Sequence, residues 1–157
     1  MFSEAVLPHN PDIRRPISGW LNHIKFRRIM SQTDVAYTIL IVEDNEDVRS
    51  IFAEVFEGKG YHVLQAGDGA EALSVIDSAD GIVDVVLTDL RMPVMNGVEF
   101  ASELKHDPRF GHIPVVLLSA TPTKDSWQAR KLFAALLIKP CPFSTLLPVV
   151  EAVLPSR

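Results

Sequence analysis

From Tyr37 onward, short apolar runs alternate with stretches whose apolar residues recur at helical spacing, and few folds accommodate that pattern. A run such as Ile39-Leu40-Ile41-Val42 has no polar side to turn toward water, so as a strand it must be covered on both faces. Helices between such strands provide the cover and carry the chain back across, which makes the sheet parallel. The pattern predicts five strands, at Tyr37–Val42, Tyr61–Gln65, Val83–Thr88, Pro114–Leu118 and Ala134–Ile138. In the first helix Val48, Ile51, Phe52 and Val55 share a face, and Gly58 with Gly60 ends it. The second opens at Asp68, with Glu71 at capping-box spacing. A turn-rich stretch from Asp89 to Gly97 leads to a helix over about Val98 to Lys105, and a further helix covers about Lys124 to Phe133. The last, Phe143–Val153, is weakened by Pro148.

A doubly covered sheet needs a substantial core, and 157 residues, 47% of them apolar, suffice for one domain. No stretch approaches the roughly 18 consecutive apolar residues of a membrane span, and the N-terminus lacks the apolar core of a secretory signal. The single cysteine, Cys141, has no second thiol for a disulfide or a CxxC metal site and is expected to pack. These features predict a cytoplasmic protein. Residues 1–36 carry five basic and three acidic groups, so +2 of the formal net charge of −5, leaving −7 for the rest. A body this acidic is a poor candidate for nucleic-acid binding through its own surface, and no nucleic-acid partner is expected.

In an open parallel sheet, ligands bind beyond the carboxyl ends of the strands. Strand one ends in Glu43 and Asp44, strand three in Asp89, strand four in Ser119, and strand five in Lys139 followed by Pro140. Right-handed crossovers bring these ends to one edge. Singly, each has a local use: Asp44 or Asn45 as a helix cap, Asp89 as a turn cap, Ser119 in a bond to nearby backbone, Lys139 as a solvated lysine. Together they point to chemistry. Clustered carboxylates repel unless a hard cation such as Mg²⁺ neutralises them. A carboxylate can also act as a nucleophile toward phosphorus, with Lys139 and Ser119 meeting the charge that spreads over the phosphoryl oxygens.

The segments Ile39-Leu-Ile-Val-Glu-Asp44, Leu87-Thr-Asp-Leu-Arg-Met-Pro-Val-Met-Asn-Gly97, Val115-Val-Leu-Leu-Ser-Ala120 and Ile138-Lys-Pro140 resemble the receiver domain of two-component response regulators. The most specific piece is the Asp, Met-Pro and Gly pattern at 89, 92–93 and 97. The resemblance implies a flavodoxin-like α/β fold: a doubly wound, five-stranded parallel sheet of order 2-1-3-4-5 with helices on both faces. It implies a receiver at 37–154, an extension at 1–36 and a tail at 155–157. Asp89 would be the phosphoacceptor and Asp44 a direct Mg²⁺ ligand, Glu43 would support the metal through water, and the Arg91 backbone carbonyl would be a further ligand. Ser119 and Lys139 would contact the phosphoryl group, Pro140 would fix the lysine's loop, and Arg91 and Thr121 match positions that tune phosphate loss. The implied function is a single-domain response regulator, phosphorylated by a histidine kinase or histidine phosphotransfer protein and signalling by contact with an unknown downstream protein. Such a domain catalyses only its own phosphorylation and dephosphorylation.

Two alternatives stand beside it. A haloacid-dehalogenase-type phosphatase needs a second acid two residues after its nucleophile, where this chain has Arg91. A degenerate receiver, acting as a phosphorylation-independent module, is disfavoured by the complete Glu43, Asp44, Asp89, Ser119 and Lys139 set. The departures from the family are Leu136, where many receivers carry an aromatic switch residue, and Phe133-Ala-Ala-Leu in place of a Gly-Ala pair. Phe133 is the candidate substitute. Within residues 1–36, Ile17, Trp20, Leu21 and Ile24 would share a short helical face, yet Pro8, Pro11 and Pro16 favour an irregular lead-in and Met30 offers another start. None of His9, His23, His62, His106 and His112 has metal-ligand spacing.

Overall fold

The computed structural model describes residues 36–121 and 127–157. The expected helical face at 17–24 and the start of the helix placed at Lys124 lie outside the described residues. The elements are β1 (Thr38–Val42), α1 (Glu46–Gly58), β2 (His62–Ala66), α2 (Gly69–Ser78), β3 (Val85–Thr88), α3 (Gly97–His106), β4 (Val115–Ser119), α4 (Trp127–Leu132), β5 (Ala135–Ile138) and α5 (Phe143–Val153). The strands form one parallel sheet in the order β2-β1-β3-β4-β5, the flavodoxin-like arrangement.

Every residue of β1, β3 and β4 is buried, as strands covered on both faces must be. Their side chains alternate between two cores. Ile39, Ile41, Val85, Leu87, Val116 and Leu118 pack with Ala53 and Phe56 of α1 and Leu146 and Val150 of α5. Leu40, Val42, Val86, Val115 and Leu117 pack with Ala72 and Ile76 of α2 and Phe100, Ala101 and Leu104 of α3. Phe133 is buried in this second core, whereas Leu136, on the edge strand β5, is exposed.

The boundaries differ from expectation for local reasons. β2 begins at His62 because the Tyr61 N–H turns back to Phe56 O at 3.1 Å and finishes α1, with Gly60 at φ 89° taking the left-handed turn. β3 begins at Val85 because the Asp84 carboxylate accepts the Thr38 N–H at 2.7 Å, where a strand carbonyl would otherwise sit. Asp68 caps α2 through the Glu71 N–H, but the Glu71 carboxylate accepts from Gly67 N–H, so the expected box is not closed there. A full capping box forms instead at Asn96 and Glu99, at the start of α3. α5 runs through Pro148, which sits on the exposed side of the helix. Cys141 packs against the α1/α5 core, half-buried, and His62, His106 and His112 lie on the surface.

Candidate functional site

The parallel register aligns the strand ends. Val42 pairs with Thr88, Thr88 with Leu117, and Ser119 with Ile138, so the residues that follow emerge along one edge. Beyond β1, Asn45 rather than Asp44 caps α1, accepting the Val48 N–H at 3.0 Å. That leaves the Asp44 carboxylate exposed and without the capping role its neighbour takes. Glu43 is buried, at 5% exposure, and its oxygens are divided: Oε1 accepts the Asn45 N–H at 3.2 Å and Oε2 accepts Lys139 Nζ at 3.1 Å. The Glu43 carbonyl is held by Arg49 Nη1 at 2.8 Å. Asp89, its side chain 16% exposed, accepts the Leu90 N–H on Oδ1 at 2.7 Å and lies 3.5 Å from Lys139 Nζ through Oδ2.

Carboxylate oxygens of Glu43, Asp44 and Asp89 come within 4.8 Å of one another. Lys139 is the ammonium that holds two of them together. Burial drives the Glu43 pKa above the ordinary carboxylate value, and the bonds from Asn45 and Lys139 only partly offset this. Burial alone would depress Lys139, but Glu43 and then Asp89 outweigh it and hold its pKa above the usual lysine value. Ser119 is buried beside this group, its backbone carbonyl accepting the Lys139 N–H at 2.8 Å and its Oγ accepting the Thr121 N–H at 3.1 Å. The local uses foreseen for Asp89 and Ser119 are therefore real, and they orient both side chains at the edge. Arg91 lies on the loop two residues past Asp89, with its side chain exposed. A void of about 10 Å³ beneath the group is lined by Phe52 and Leu118 as well as Glu43, Asp89 and Lys139.

Gly97 fixes the return of the Asp89 loop. Its N–H donates to Leu90 O at 2.8 Å, and a Cβ there would overlap the Asp89 carbonyl oxygen. That carbonyl cannot retreat, because Thr88 Oγ1 donates to it at 2.9 Å. Gly97→Ala is therefore expected to destabilise by roughly 1–3 kcal/mol through overpacking, more than the helical gain of up to about 1 kcal/mol returns. A urea midpoint equal to wild type would show that the loop adapts.

Sequence reasoning passed over three contributors: Arg49, Gly69 and Asn96. Gly69 donates its N–H to Met95 O at 3.1 Å, and a Cβ on it would press into Met95 and Phe100. Its position at the first residue of α2, right after the Asp68 cap, was the available signal.

A family model described as the response regulator receiver domain matches residues 39–151. The chain belongs to the response regulator receiver domain family. This receiver is 42% identical over 84 residues to the sensor histidine kinase TmoS of Ectopseudomonas mendocina, a match spanning 54% of the chain but 8% of TmoS. The chemotaxis response regulator CheY4 of Vibrio cholerae superposes with a TM-score of 0.69 at 29% identity, covering 76% of this chain and all of CheY4. TrrA of Thermotoga maritima, solved in complex with Mg²⁺ and BeF, gives 0.67 at 27% identity over 75% of this chain and 99% of that one. Receiver domains bind Mg²⁺ in an acidic pocket, and the carboxylates of Glu43, Asp44 and Asp89 form one here. Their donor set fits: all are hard oxygens, close enough to share one small cation. Among the described residues, no helix is long and apolar enough to cross a membrane.

Proposed function

We propose that the protein is a single-domain response regulator that accepts a phosphoryl group on Asp89 from a histidine kinase or histidine phosphotransfer protein, in a Mg²⁺-dependent reaction. The observation that carries this reading is the convergence of three carboxylates within 4.8 Å around an ammonium 3.1 Å from Glu43 and 3.5 Å from Asp89. Such a group, net negative and partly buried, asks for a cation. Asp44 and Asp89 would hold Mg²⁺ directly, with Glu43 reaching it through water and the Arg91 carbonyl completing the protein's share. The bound ion supplies positive charge against the carboxylates and the phosphoryl oxygens.

Oδ1 of Asp89 already takes the Leu90 N–H, so Oδ2, on the Lys139 side, is the oxygen that attacks. The bond from phosphorus to the donor histidine nitrogen breaks as the bond to Oδ2 forms, and no proton need leave the carboxylate. Lys139 then shifts from the carboxylates toward the new phosphoryl oxygens, and the Ser119 hydroxyl, one strand away, donates a hydrogen bond to them. The receiver spans 37–154, between an extension at 1–36 and a tail at 155–157, and its output is contact with a downstream protein. A phosphatase of external esters is disfavoured, since the exposed Arg91 offers no general acid where one is needed.

Incubation with acetyl phosphate and Mg²⁺ is expected to add the mass of one phosphoryl group, and EDTA to prevent it. An unchanged intact mass under saturating Mg²⁺ would sink the proposal.

A further inference from the structure

Of the three clustered carboxylates, Asp44 is the one whose side chain is not held. Glu43 and Asp89 each meet a donor or the Lys139 ammonium at both oxygens. Asp44 is exposed and, among the described residues, makes no hydrogen bond or ion pair. Apart from its own χ angles, its direction is therefore set by the two peptide planes that meet at its Cα. The plane that follows is tied by the Asn45 N–H, which donates to Glu43 Oε1 at 3.2 Å. The plane that precedes carries the Glu43 carbonyl, and that oxygen accepts Arg49 Nη1 at 2.8 Å. Because the peptide unit is flat, holding this oxygen also places the Asp44 nitrogen and Cα.

The helix does not explain Arg49. Its N–H donates to Asn45 O at 2.9 Å and closes the first turn of α1, where the helix dipole suits the acids Glu46 and Asp47 and disfavours a cation. Half-buried, it forms no ion pair with those acids among the described residues. Helical side chains lean back toward the N-terminus, which carries the guanidinium past the Asn45 cap to the carbonyl two residues before it. With the Glu43 N–H on Ala66 O at 3.1 Å and Oε2 on Lys139, every polar atom of Glu43 is then tied.

We infer that Arg49 is a positioning residue for the metal site: through the Glu43 carbonyl it fixes the peptide plane from which the Asp44 carboxylate projects, and so sets the affinity for Mg²⁺. The inference rests on Glu43, Asp44 and Asp89 being the Mg²⁺ site. Two effects of the guanidinium oppose each other there. Its charge repels a divalent cation, whereas its bond orders a ligand before binding. The bond is short and charge-assisted, and the charge is screened at a half-exposed position, so positioning prevails.

Titration calorimetry with Mg²⁺ alone separates the two effects by sign. Arg49→Met keeps an apolar stem and loses both the charge and the donor. It is expected to bind Mg²⁺ about tenfold more weakly than the wild type, the low end of what outer supports of metal ligands are worth, because Asp44 keeps its tie through Asn45. In phosphorylation by acetyl phosphate, the Mg²⁺ concentration giving half the maximal rate should rise by the same factor, with the rate at saturating Mg²⁺ unchanged. A residue that served only the helix would lower the melting midpoint and move neither quantity. Should Arg49→Met fail to fold, Arg49→Lys, which offers a point charge in place of a planar fork, should weaken Mg²⁺ binding severalfold. Affinity equal to or tighter than wild type in the variant that folds overturns the inference, leaving the guanidinium to act through packing or charge and the Mg²⁺ site intact. Failure of the wild type to bind Mg²⁺ removes the site itself, and the positioning role with it.

Discussion

Asp89→Asn is expected to take up no phosphoryl group from acetyl phosphate or from a kinase, while folding as the wild type does. An amide nitrogen and carbonyl replace the carboxylate without changing its shape, and Asn Oδ1 still accepts the Leu90 N–H that Asp89 takes at 2.7 Å. The nucleophilic charge is lost, and with it the whole reaction rather than a fraction of the rate. The substitution also changes the metal-free protein. Glu43, Asp44 and Asp89 crowd within 4.8 Å with one ammonium among them, so removing one negative charge relieves repulsion. Without Mg²⁺ the variant should therefore melt at or above the wild-type midpoint. With Mg²⁺ the order should reverse, because stabilisation by a ligand follows its affinity and the variant has lost one oxygen ligand of full charge. Melting curves with and without Mg²⁺, beside intact masses, give both readouts. A variant that still gains the phosphoryl mass would move the acceptor to another residue.

The parts of this arrangement legible in the sequence are those fixed by topology. β1, β3 and β4 are buried throughout and mostly apolar because both faces are covered, and a parallel sheet then has no choice but to put Glu43, Asp89 and Ser119 at the same edge. What stayed hidden depends on contacts between distant residues or on conformations that residue type argues against. Lys139 was legible as a strand-end ammonium that meets phosphoryl charge, but its bond to Glu43, across 96 residues of chain, was not. Asp44 and Asn45 competed for the same cap, and only the Val48 N–H pointing to Asn45 resolved it. Arg49 looked like one more charge on an amphipathic helix, yet its guanidinium holds the Glu43 carbonyl at 2.8 Å and so sets the acidic loop. The conformation of Val94, at φ 68° on the loop after Asp89, was invisible for the opposite reason: β-branched residues are among the last expected at positive φ. Strand ends were placed one or two residues out on central β3 and β4 as on the edge strands β2 and β5, because local bonds such as that from the Thr38 N–H to Asp84 set where pairing begins and leave no mark on the apolar pattern.

Lys139→Met is expected to slow phosphorylation of Asp89 by about 100- to 1,000-fold, the usual effect of removing one preorganised group from a charge that develops in the transition state. Methionine keeps the apolar stem against the void lined by Phe52 and Leu118, so packing is nearly preserved and the charge is what changes. Stability separates this role from a merely structural one. In the metal-free variant Glu43 stays buried without its cation, which costs roughly 2–3 kcal/mol, below the 3–5 of a fully buried pair because the lysine is partly exposed. The pH dependence follows in sign. Burial already raises the folded pKa of Glu43, and loss of Lys139 raises it further, so the folded state holds its proton more tightly than the unfolded chain does. The contribution of Glu43 to stability is then fully present in acid, below the ordinary carboxylate value, and is lost as pH rises through its folded pKa, with a larger loss in the variant than in the wild type. Mg²⁺ should reverse most of that loss at neutral pH, and should bind the variant more tightly, because the ammonium that competes for Glu43 and Asp89 is gone. Urea titrations across pH, with and without Mg²⁺, report this directly. If the variant lost stability equally at every pH and Mg²⁺ restored none of it, Lys139 would be a packing residue and its place beside Asp89 incidental to the reaction.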